Sequence, residues 1–456
     1  MSEFLFSIEP VKVEKINTLY RRINSPIPAP GTKEILESLK QTESKSMHGQ
    51  LPIVWDKAKN FSVYDIAGNK WIDFTSTIFV ANIGHSNKKL ISNLKDVIDR
   101  PILSCYAYSN SYRRRYLEEL KKFSNNRFDK AFLLSAGTEA TEAVFKLMRM
   151  YGQTKQKRRL GVIALEGNWH GRTLGAQMLS GNKKQKEWIG NLDKDIHHIP
   201  FPYPWDVSEE NANDFFKSSI SRLVNDGIDF KKDICGVFLE TFQGWGALFY
   251  PVNYVKAVEK FCNENDILFG FDEMQSGFSR TGKNFGFEHY DANPDLIACG
   301  KGMGGGLPLS GVLGKKEIMD LPEIGNMSST HSANPLVCVA GLSVLEEINS
   351  QQLTVEANRK GIILHNKLNA IKEKFSRNIS WVLGKGMIAG VLFKKESGEP
   401  DLLSPSIIAE KCMQKGLLLV HTGRESIKIG PPLTISDDAL IEGIEVFEEA
   451  IGEVLG

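Results

Sequence analysis

Three segments of this sequence place residues with useful chemistry directly after short apolar runs. Asp272 ends the run ILFGFD, Lys301 follows DLIACG and precedes GMGGG, and Gly137 and Thr138 lie in LLSAGTEATE, where a strand is predicted to lead into a helix. Open α/β sheets bind their ligands outside the carboxyl ends of the strands. We therefore expect these residues to meet at one edge of a sheet.

Gly137 and Thr138 could form an anion-binding site at the start of a helix, which we call the anion seat. The first N–H groups of a helix have no partner within the helix, and a glycine lets the backbone approach a ligand closely. The alternative is an ordinary helix start, because Ser or Thr before Glu is a common capping pattern. The segment alone does not decide between them.

Asp272 and Lys301 each have two interpretations. A carboxylate at a buried strand end needs a cationic or hydrogen-bonding partner, which could be a ligand or a structural ion pair. Burial lowers the pKa of a lysine and makes its neutral, nucleophilic form accessible, while the neighbouring glycines would leave room for a bulky group. The alternative for Lys301 is a lysine on a surface loop.

One cofactor would use all three segments. Pyridoxal phosphate (PLP) needs an anion seat for its phosphate, a carboxylate to keep its ring nitrogen protonated and a lysine that forms a Schiff base with its aldehyde. Gly137 and Thr138, Asp272 and Lys301 would supply these in turn. We therefore predict a PLP site.

The motifs also resemble a known family. The stretch from DEMQSGFSRTGKNFGFEH to GKGMGGGLPLSGVL is similar to the most specific signature of the class III (ω-amino acid) aminotransferases of PLP fold type I, and the resemblance extends from about residue 50 to 450. It implies that Lys301 carries the cofactor and moves the proton, that Asp272 pairs with the pyridinium nitrogen and that Gln275 donates to the side of the ring hydroxyl.

Two further motifs support the resemblance. In EGNWHGRT, Trp169 with His170 beside it matches the aromatic residue that stacks on the cofactor, although a core aromatic is the alternative. SSTHSANPL matches Ser-Thr-x-x-x-Asn-Pro, which implies that Thr330 reaches the phosphate of a neighbouring subunit. The resemblance therefore implies a homodimer with a shared active site.

The expected substrate pocket departs from the ornithine-type members. Trp245 in ETFQGWGALFYP replaces the gating glutamate, Lys428 in SIKIGPPL replaces an arginine, and Ile78 beside Phe79 replaces a tyrosine. A lysine ammonium is a point charge and cannot form the two parallel hydrogen bonds that the planar guanidinium fork of an arginine makes to a carboxylate. We assign Phe79, Trp245 and Lys428 to substrate binding and expect an amine remote from the carboxylate, or no carboxylate. Arg424 could supply a replacement fork or be a solvated loop residue.

We predict an aminotransferase that moves an amino group from an amine or ω-amino acid donor to an oxo-acid acceptor. A racemase, an aminomutase or an amine lyase of the same fold would use the same Lys301 and Asp272 and stays open. A catalytically inactive PLP-fold protein is disfavoured because both residues are present. Nucleotide binding by GMGGG is disfavoured because the G-x-G-x-x-G spacing is missing.

Between about residues 90 and 332, short apolar runs alternate with helical patterns. The predicted cofactor residues lie in this part of the chain. We predict an α/β fold in which residues 90–332 form a large PLP-binding domain, with a mostly parallel sheet of the seven-stranded type and helices on both faces. Residues 1–89 and 333–456 are predicted to form a smaller α+β domain.

Composition restricts the partners to small molecules. Lys and Arg total 56 against 55 for Asp and Glu, so no net field would attract nucleic acid. The sequence has no run of about 18 apolar residues and no secretory signal pattern, so we expect no membrane association. The six cysteines form no C-x-x-C pair, which favours reduced thiols, no metal site and a cytoplasmic location.

Overall fold

A computed structural model describes residues 4–100 and 102–456. The chain folds into two compact units. The first contains the chain up to Asn87, together with Trp245–Ala247 and Val355–Gly456; the second contains Lys88–Gly244 and Leu248–Thr354. The boundaries given above, at 89/90 and 332/333, stay predictions of the domain organisation.

The second unit is built on a seven-stranded sheet. In spatial order its strands are Lys130–Leu134, Ser310–Gly314, Leu296–Cys299, Leu268–Asp272, Ile234–Glu240, Gly161–Leu165 and Ile196–Ile199. All neighbouring pairs are parallel except the two that involve Ser310–Gly314. The predicted fold class, an α/β protein with a mostly parallel seven-stranded sheet, is confirmed.

The central strands are apolar because helices and loops cover them. Every residue of Leu268–Asp272, Leu296–Cys299 and Ile234–Glu240 is buried, as expected for a parallel sheet with both faces covered. The α-helices of this unit are Lys88–Ile98, Ser111–Phe123, Gly137–Thr154, Leu174–Leu179, Ala212–Asn225, Phe230–Asp233, Val252–Asn265, Lys316–Met319 and Pro335–Ser350. Short 3-10 helices span Lys184–Ile189, Gly286–Tyr290 and Lys301–Gly304, and Phe242–Gln243 pairs with Leu248–Phe249.

The first unit is α+β. One sheet contains Ile16–Asn17, Arg22–Ile23, Lys70–Asp73, Ser62–Asp65, Trp55–Lys59 and Leu417–Leu418; the other contains Ile379–Lys385, Ile388–Phe393, Ser426–Ile429 and Val420–His421. Its helices are Thr32–Thr42, Lys45–Met47, Ser76–Phe79, Ser404–Gln414, Asp437–Leu455 and, from Val355 onward, Leu353–Lys374. Leu417 pairs with Ile72 in parallel, so the N- and C-terminal segments share a sheet.

No helix among residues 4–100 and 102–456 is long and apolar enough to cross a membrane. The part of the chain that the structure describes contains no group of three or more His, Cys, Asp or Glu side chains placed to hold a metal ion. All six cysteines are free thiols, and five of them are buried.

Candidate active site

A cavity of about 240 Å³ lies within the second unit, and most of the predicted cofactor residues line it. Seven of the eight are found there: Gly137, Thr138, Trp169, His170, Asp272, Gln275 and Lys301. They come from four segments of the chain that the sheet brings together. Thr330, the eighth, lies in an exposed turn outside this lining.

The anion seat forms at the start of helix Gly137–Thr154. The carboxylate of Glu139 accepts hydrogen bonds from the N–H groups of Ser135 and Ala136, both at 2.9 Å. This pairing occupies the N–H groups that precede the helix, and the first helical N–H groups, at Gly137 and Thr138, have no acceptor inside the helix. The local positive end of the helix dipole therefore faces the cavity that these two residues line.

Two glycines bring backbone close to this seat. A Cβ atom on Gly137 would lie 2.7 Å from Met274 Sδ, and one on Gly171 would lie 2.3 Å from Thr138 Oγ1. Gly171 also has a φ of 140°, which side chains other than glycine's rarely allow. Larger residues at either position would displace the side chains that shape the seat.

Asp272 is held by a histidine. Its Oδ2 lies 2.9 Å from His170 Nδ1, and its Oδ1 accepts the N–H of Met274 at 3.0 Å. The two side chains are 4% and 0% exposed. An ionised carboxylate can only accept, so His170 Nδ1 carries the proton of this hydrogen bond. The ring of His170 packs 4.7 Å from that of Phe238, between centroids, and its backbone N–H donates to Ser180 Oγ.

No sequence pattern indicates the hydrogen bond between His170 and Asp272. His170 was predicted as a cofactor contact only because it follows Trp169. The two partners are 102 residues apart, and no local pattern links them. The one sequence feature that points to His170 is its place directly after Trp169, the predicted stacking residue.

Lys301 begins the 3-10 helix after strand Leu296–Cys299 and has a φ of 46°. Burial lowers the pKa of its amine below the ordinary value, while the negative charges of Asp272 and Glu240 act in the opposite direction. A Cβ atom on Gly300 would lie 2.8 Å from Met274 Sδ, whereas one on Gly306 would meet nothing within 4 Å. Gly300 therefore lets the lysine segment pack against Met274, and the space that the sequence predicts around Lys301 stays a prediction.

Glu240 and Gln275 form another wall of the cavity. Glu240 Oε2 accepts the N–H of Trp169 at 3.0 Å. A Cβ atom on Gly244 would lie 2.2 Å from Gln275 Nε2 and 2.9 Å from Glu240 Oε1. Glu240 begins the motif ETFQGWGALFYP, and no local sequence pattern predicts its contact with Trp169, which lies 71 residues away.

The three predicted substrate residues all belong to the first unit. Lys428 Nζ lies 4.9 Å from the ring centroid of Phe79, and both residues are buried. Phe79 ends a run from Ser76 in which all four residues have left-handed φ values of 46° to 68°. Such backbone is unfavourable for non-glycine residues and is often found at functional sites. Trp245 stacks against the guanidinium of Arg424.

The family model for class III aminotransferases matches residues 44–451. This chain belongs to the class III aminotransferases. It is 30% identical to the acetylornithine aminotransferase of Caldanaerobacter subterraneus, over 89% of this chain and 96% of the relative. It is also 31% identical to an alanine/serine racemase of Pyrococcus horikoshii, over 99% of this chain and 96% of the relative. Among solved structures, an aminotransferase of Bacillus anthracis is 26% identical and superposes with a TM-score of 0.84. The match covers 93% of this chain and 99% of that chain.

The family predicted from the motifs is thus confirmed, and this class III aminotransferase is a PLP-dependent transaminase. The chemistry of the cavity fits the cofactor. It combines a helix N-terminus for an anion, a buried carboxylate for a protonated ring nitrogen, an indole for a flat ring and a lysine with a lowered pKa. The glycine at 137 leaves a cradle that a side chain would fill.

Proposed function

We propose that this enzyme transfers an amino group from an amine or ω-amino acid to an oxo-acid, with Lys301 and Asp272 as catalytic residues. The observation that carries this proposal is the single cavity lined by seven of the predicted cofactor residues. A catalytic lysine, a ring-nitrogen carboxylate and an anion seat at one cavity would serve no purely structural need together.

Bound PLP supplies an aldehyde that condenses with amines and a protonated ring that accepts electrons when a C–H bond of the substrate breaks. Asp272 would pair with the ring nitrogen in its charged form, and His170 would orient that carboxylate through their hydrogen bond. Trp169 would cover one face of the ring, and Gln275 would donate at its hydroxyl side. The N–H groups of Gly137 and Thr138 would bind the phosphate.

Lys301 would attach the cofactor and then move the proton. With cofactor and substrate bound, its Nζ would accept a proton from the substrate carbon, because burial favours the neutral amine. The same atom can then donate the proton to a neighbouring carbon, acting first as base and then as acid. This proton shift distinguishes transamination from racemisation, in which the proton returns to the carbon it left.

Phe79, Trp245 and Lys428 would contact the substrate. Lys428 is buried with its Nζ 4.9 Å from the ring centroid of Phe79, and a lysine presents a single point charge rather than a planar guanidinium. Relatives named for acetylornithine and 4-aminobutyrate support a donor whose reacting amine is remote from a carboxylate. The alanine/serine and leucine/methionine racemases among the relatives are the reason to keep racemisation as the second candidate.

We also propose that the active unit is a homodimer. Thr330 lies in an exposed turn just before helix Pro335–Ser350, where it could contribute to the phosphate seat of a second copy. The six free thiols support a reducing compartment, which we take to be the cytoplasm.

The experiment is a single-turnover absorbance measurement of the holoenzyme with one amine at a time and no acceptor. The panel contains ω-amino acids, diamines, amino sugars and α-amino acids. Lasting loss of the aldehyde form of the cofactor with one donor, restored by an added oxo-acid, is the expected result. A donor that changes the spectrum only transiently, with the aldehyde form returning unaided, would favour a racemase, mutase or lyase. No spectral change with any donor would contradict the proposed function.

A further inference from the structure

Residues Ser76–Phe79 of the first unit form a left-handed turn. Their φ values run from 46° to 68°, and the N–H of Val80 donates to the carbonyl of Ser76 at 2.8 Å. The left-handed α region brings Cβ close to the following carbonyl oxygen in every residue except glycine. It is least favourable for β-branched residues such as Thr77 and Ile78. The turn therefore persists only because its surroundings hold it.

The end of this turn is held by packing, but its middle is not. Thr77 and Ile78 are exposed, Ile78 to 41%, whereas Ser76 and Phe79 are buried. Ser76 Oγ donates to the carbonyl of Gly430 at 2.7 Å, and a Cβ atom on Gly430 would lie 2.2 Å from the ring of Phe79. The exposed residues need hydrogen bonds to keep their conformation.

A chain of hydrogen bonds leads from His85 to the start of the turn. His85 Nε2 lies 2.7 Å from Asp73 Oδ2, and Asp73 Oδ1 accepts the N–H and the hydroxyl of Thr75 at 2.7 and 2.6 Å. Thr75 Oγ1 accepts the N–H of Thr77 at 3.0 Å. An ionised carboxylate can only accept, so His85 and Thr75 both donate to Asp73. The chain therefore ends on an amide inside the turn.

Burial gives the pair of His85 and Asp73 its weight. Their side chains are 10% and 0% exposed, so water has little access to Oδ2 if the histidine donor is removed. The backbone of His85 exchanges two hydrogen bonds with Asn60, at 2.7 and 2.8 Å. A substitution of the ring should thus remove the donor and leave the backbone in place.

The turn determines where the ring of Phe79 lies. Lys428 Nζ is 4.9 Å from the centroid of this ring, and both residues belong to the same unit as the turn. Side-chain direction depends on backbone conformation. If Ser76–Phe79 returned to the right-handed region, the Phe79 side chain would point elsewhere and its contact with Lys428 would be lost.

We propose that His85 is a positioning residue, which holds the left-handed turn Ser76–Phe79 through Asp73 and Thr75. It thereby keeps Phe79 beside Lys428 for substrate binding. The substrate role of Phe79 and Lys428 rests on the proposed function, whereas the hold of His85 on the turn does not.

The test is hydrogen exchange of the holoenzyme, measured by mass spectrometry on peptides that cover residues 74–82. His85→Gln keeps a donor that can reach Asp73 Oδ2, and His85→Met has a similar length and no donor. Losing a hydrogen bond to a buried charged group changes a local opening constant by about 10- to 150-fold, so His85→Met should exchange faster than His85→Gln by that factor. Helix Ser404–Gln414 of the same unit should exchange equally in both and is the internal control.

A second pair of variants tests the chain without changing His85. Thr75→Ser keeps the hydroxyl, and Thr75→Val has nearly the shape of threonine without it. Thr75→Val should speed exchange over residues 74–82, and Thr75→Ser should match the parent enzyme. This pair decides the question if His85→Met does not fold. Equal exchange over residues 74–82 within either pair would overturn the inference, and so would an equal increase in helix Ser404–Gln414.

A kinetic comparison separates this inference from the proposed function. His85→Met should raise the KM for the best donor more than it lowers kcat, because Phe79 and Lys428 are proposed to bind substrate and not to react. An unchanged KM together with faster exchange would overturn the link from the turn to the substrate. Hydrogen exchange needs no turnover, so an enzyme that transaminates no donor yet exchanges faster in His85→Met would refute the proposed function and not the hold of His85 on the turn.

Discussion

The hydrogen bond between His170 and Asp272 can be tested with two substitutions of nearly equal shape. His170→Asn keeps a donor at the δ position, where it can reach Asp272 Oδ2, and His170→Leu has the same branching with no donor. Both replacements are smaller than histidine and leave a similar gap beside Phe238. The difference between them therefore isolates the hydrogen bond to the carboxylate.

The expected size follows from burial. The two side chains are 0% and 4% exposed, so water cannot replace the lost donor at Oδ2. Leaving a buried charged acceptor unsatisfied costs about 1.5–3 kcal/mol, which corresponds to about 10- to 150-fold in an equilibrium constant. Oδ1 keeps the N–H of Met274 in both variants. In His170→Leu, Asp272 should thus remain in place but lose its hydrogen bond at Oδ2.

The assay is equilibrium dialysis of PLP with the two variants and the parent enzyme, combined with a single-turnover rate for the best donor. His170→Asn should bind the cofactor at least 10-fold more tightly than His170→Leu and react faster. Equal affinities and rates for the two variants would refute the idea that His170 acts through Asp272. Such equality, with both variants below the parent enzyme, would indicate that the volume of the ring matters and the hydrogen bond does not.

Four further outcomes are expected. Lys301→Ala should abolish turnover and leave PLP bound without a covalent link; normal turnover, followed by absorbance, would contradict the assignment of Lys301. Asp272→Asn should retain the cofactor and slow proton abstraction by about 10²-fold or more, and a near-normal single-turnover rate would count against Asp272 as the partner of the ring nitrogen. Gly300→Ala should lower stability by about 1–3 kcal/mol in urea unfolding, because the added Cβ meets Met274 Sδ, and an unchanged midpoint would contradict that contact. Burial raises the pKa of Glu273 from 4.5 to about 6, so the folded enzyme holds this proton more tightly than the unfolded chain. This group should therefore cost about 2 kcal/mol of stability as the pH rises from about 4.5 to about 6, a slope that Glu273→Gln should remove in urea titrations at several pH values.

The sequence predicted which residues meet at the edge of the sheet, because the end of a strand can be recognised from its local sequence. Gly137, Asp272 and Lys301 each follow an apolar run, and parallel strands bring such ends together whatever their distance along the chain. The pair formed by His170 and Asp272 was out of reach, because it depends on how the loop after strand Gly161–Leu165 packs against the end of strand Leu268–Asp272. So was the left-handed run that ends at Phe79, since two of its residues are β-branched and favour other backbone conformations. Only the tertiary surroundings can hold such a segment.

Met274 explains why these distant motifs carry glycines at their edges. Its N–H donates to Asp272, and its Sδ fills the space that a Cβ atom would need at Gly137 and also at Gly300, next to Lys301. One side chain therefore contacts the anion seat, the carboxylate segment and the lysine segment. Because packed interiors tolerate little change in volume, a shift at any one of the three would be transmitted to the others through Met274. The glycines thus fix the relative positions of the three groups that PLP chemistry requires.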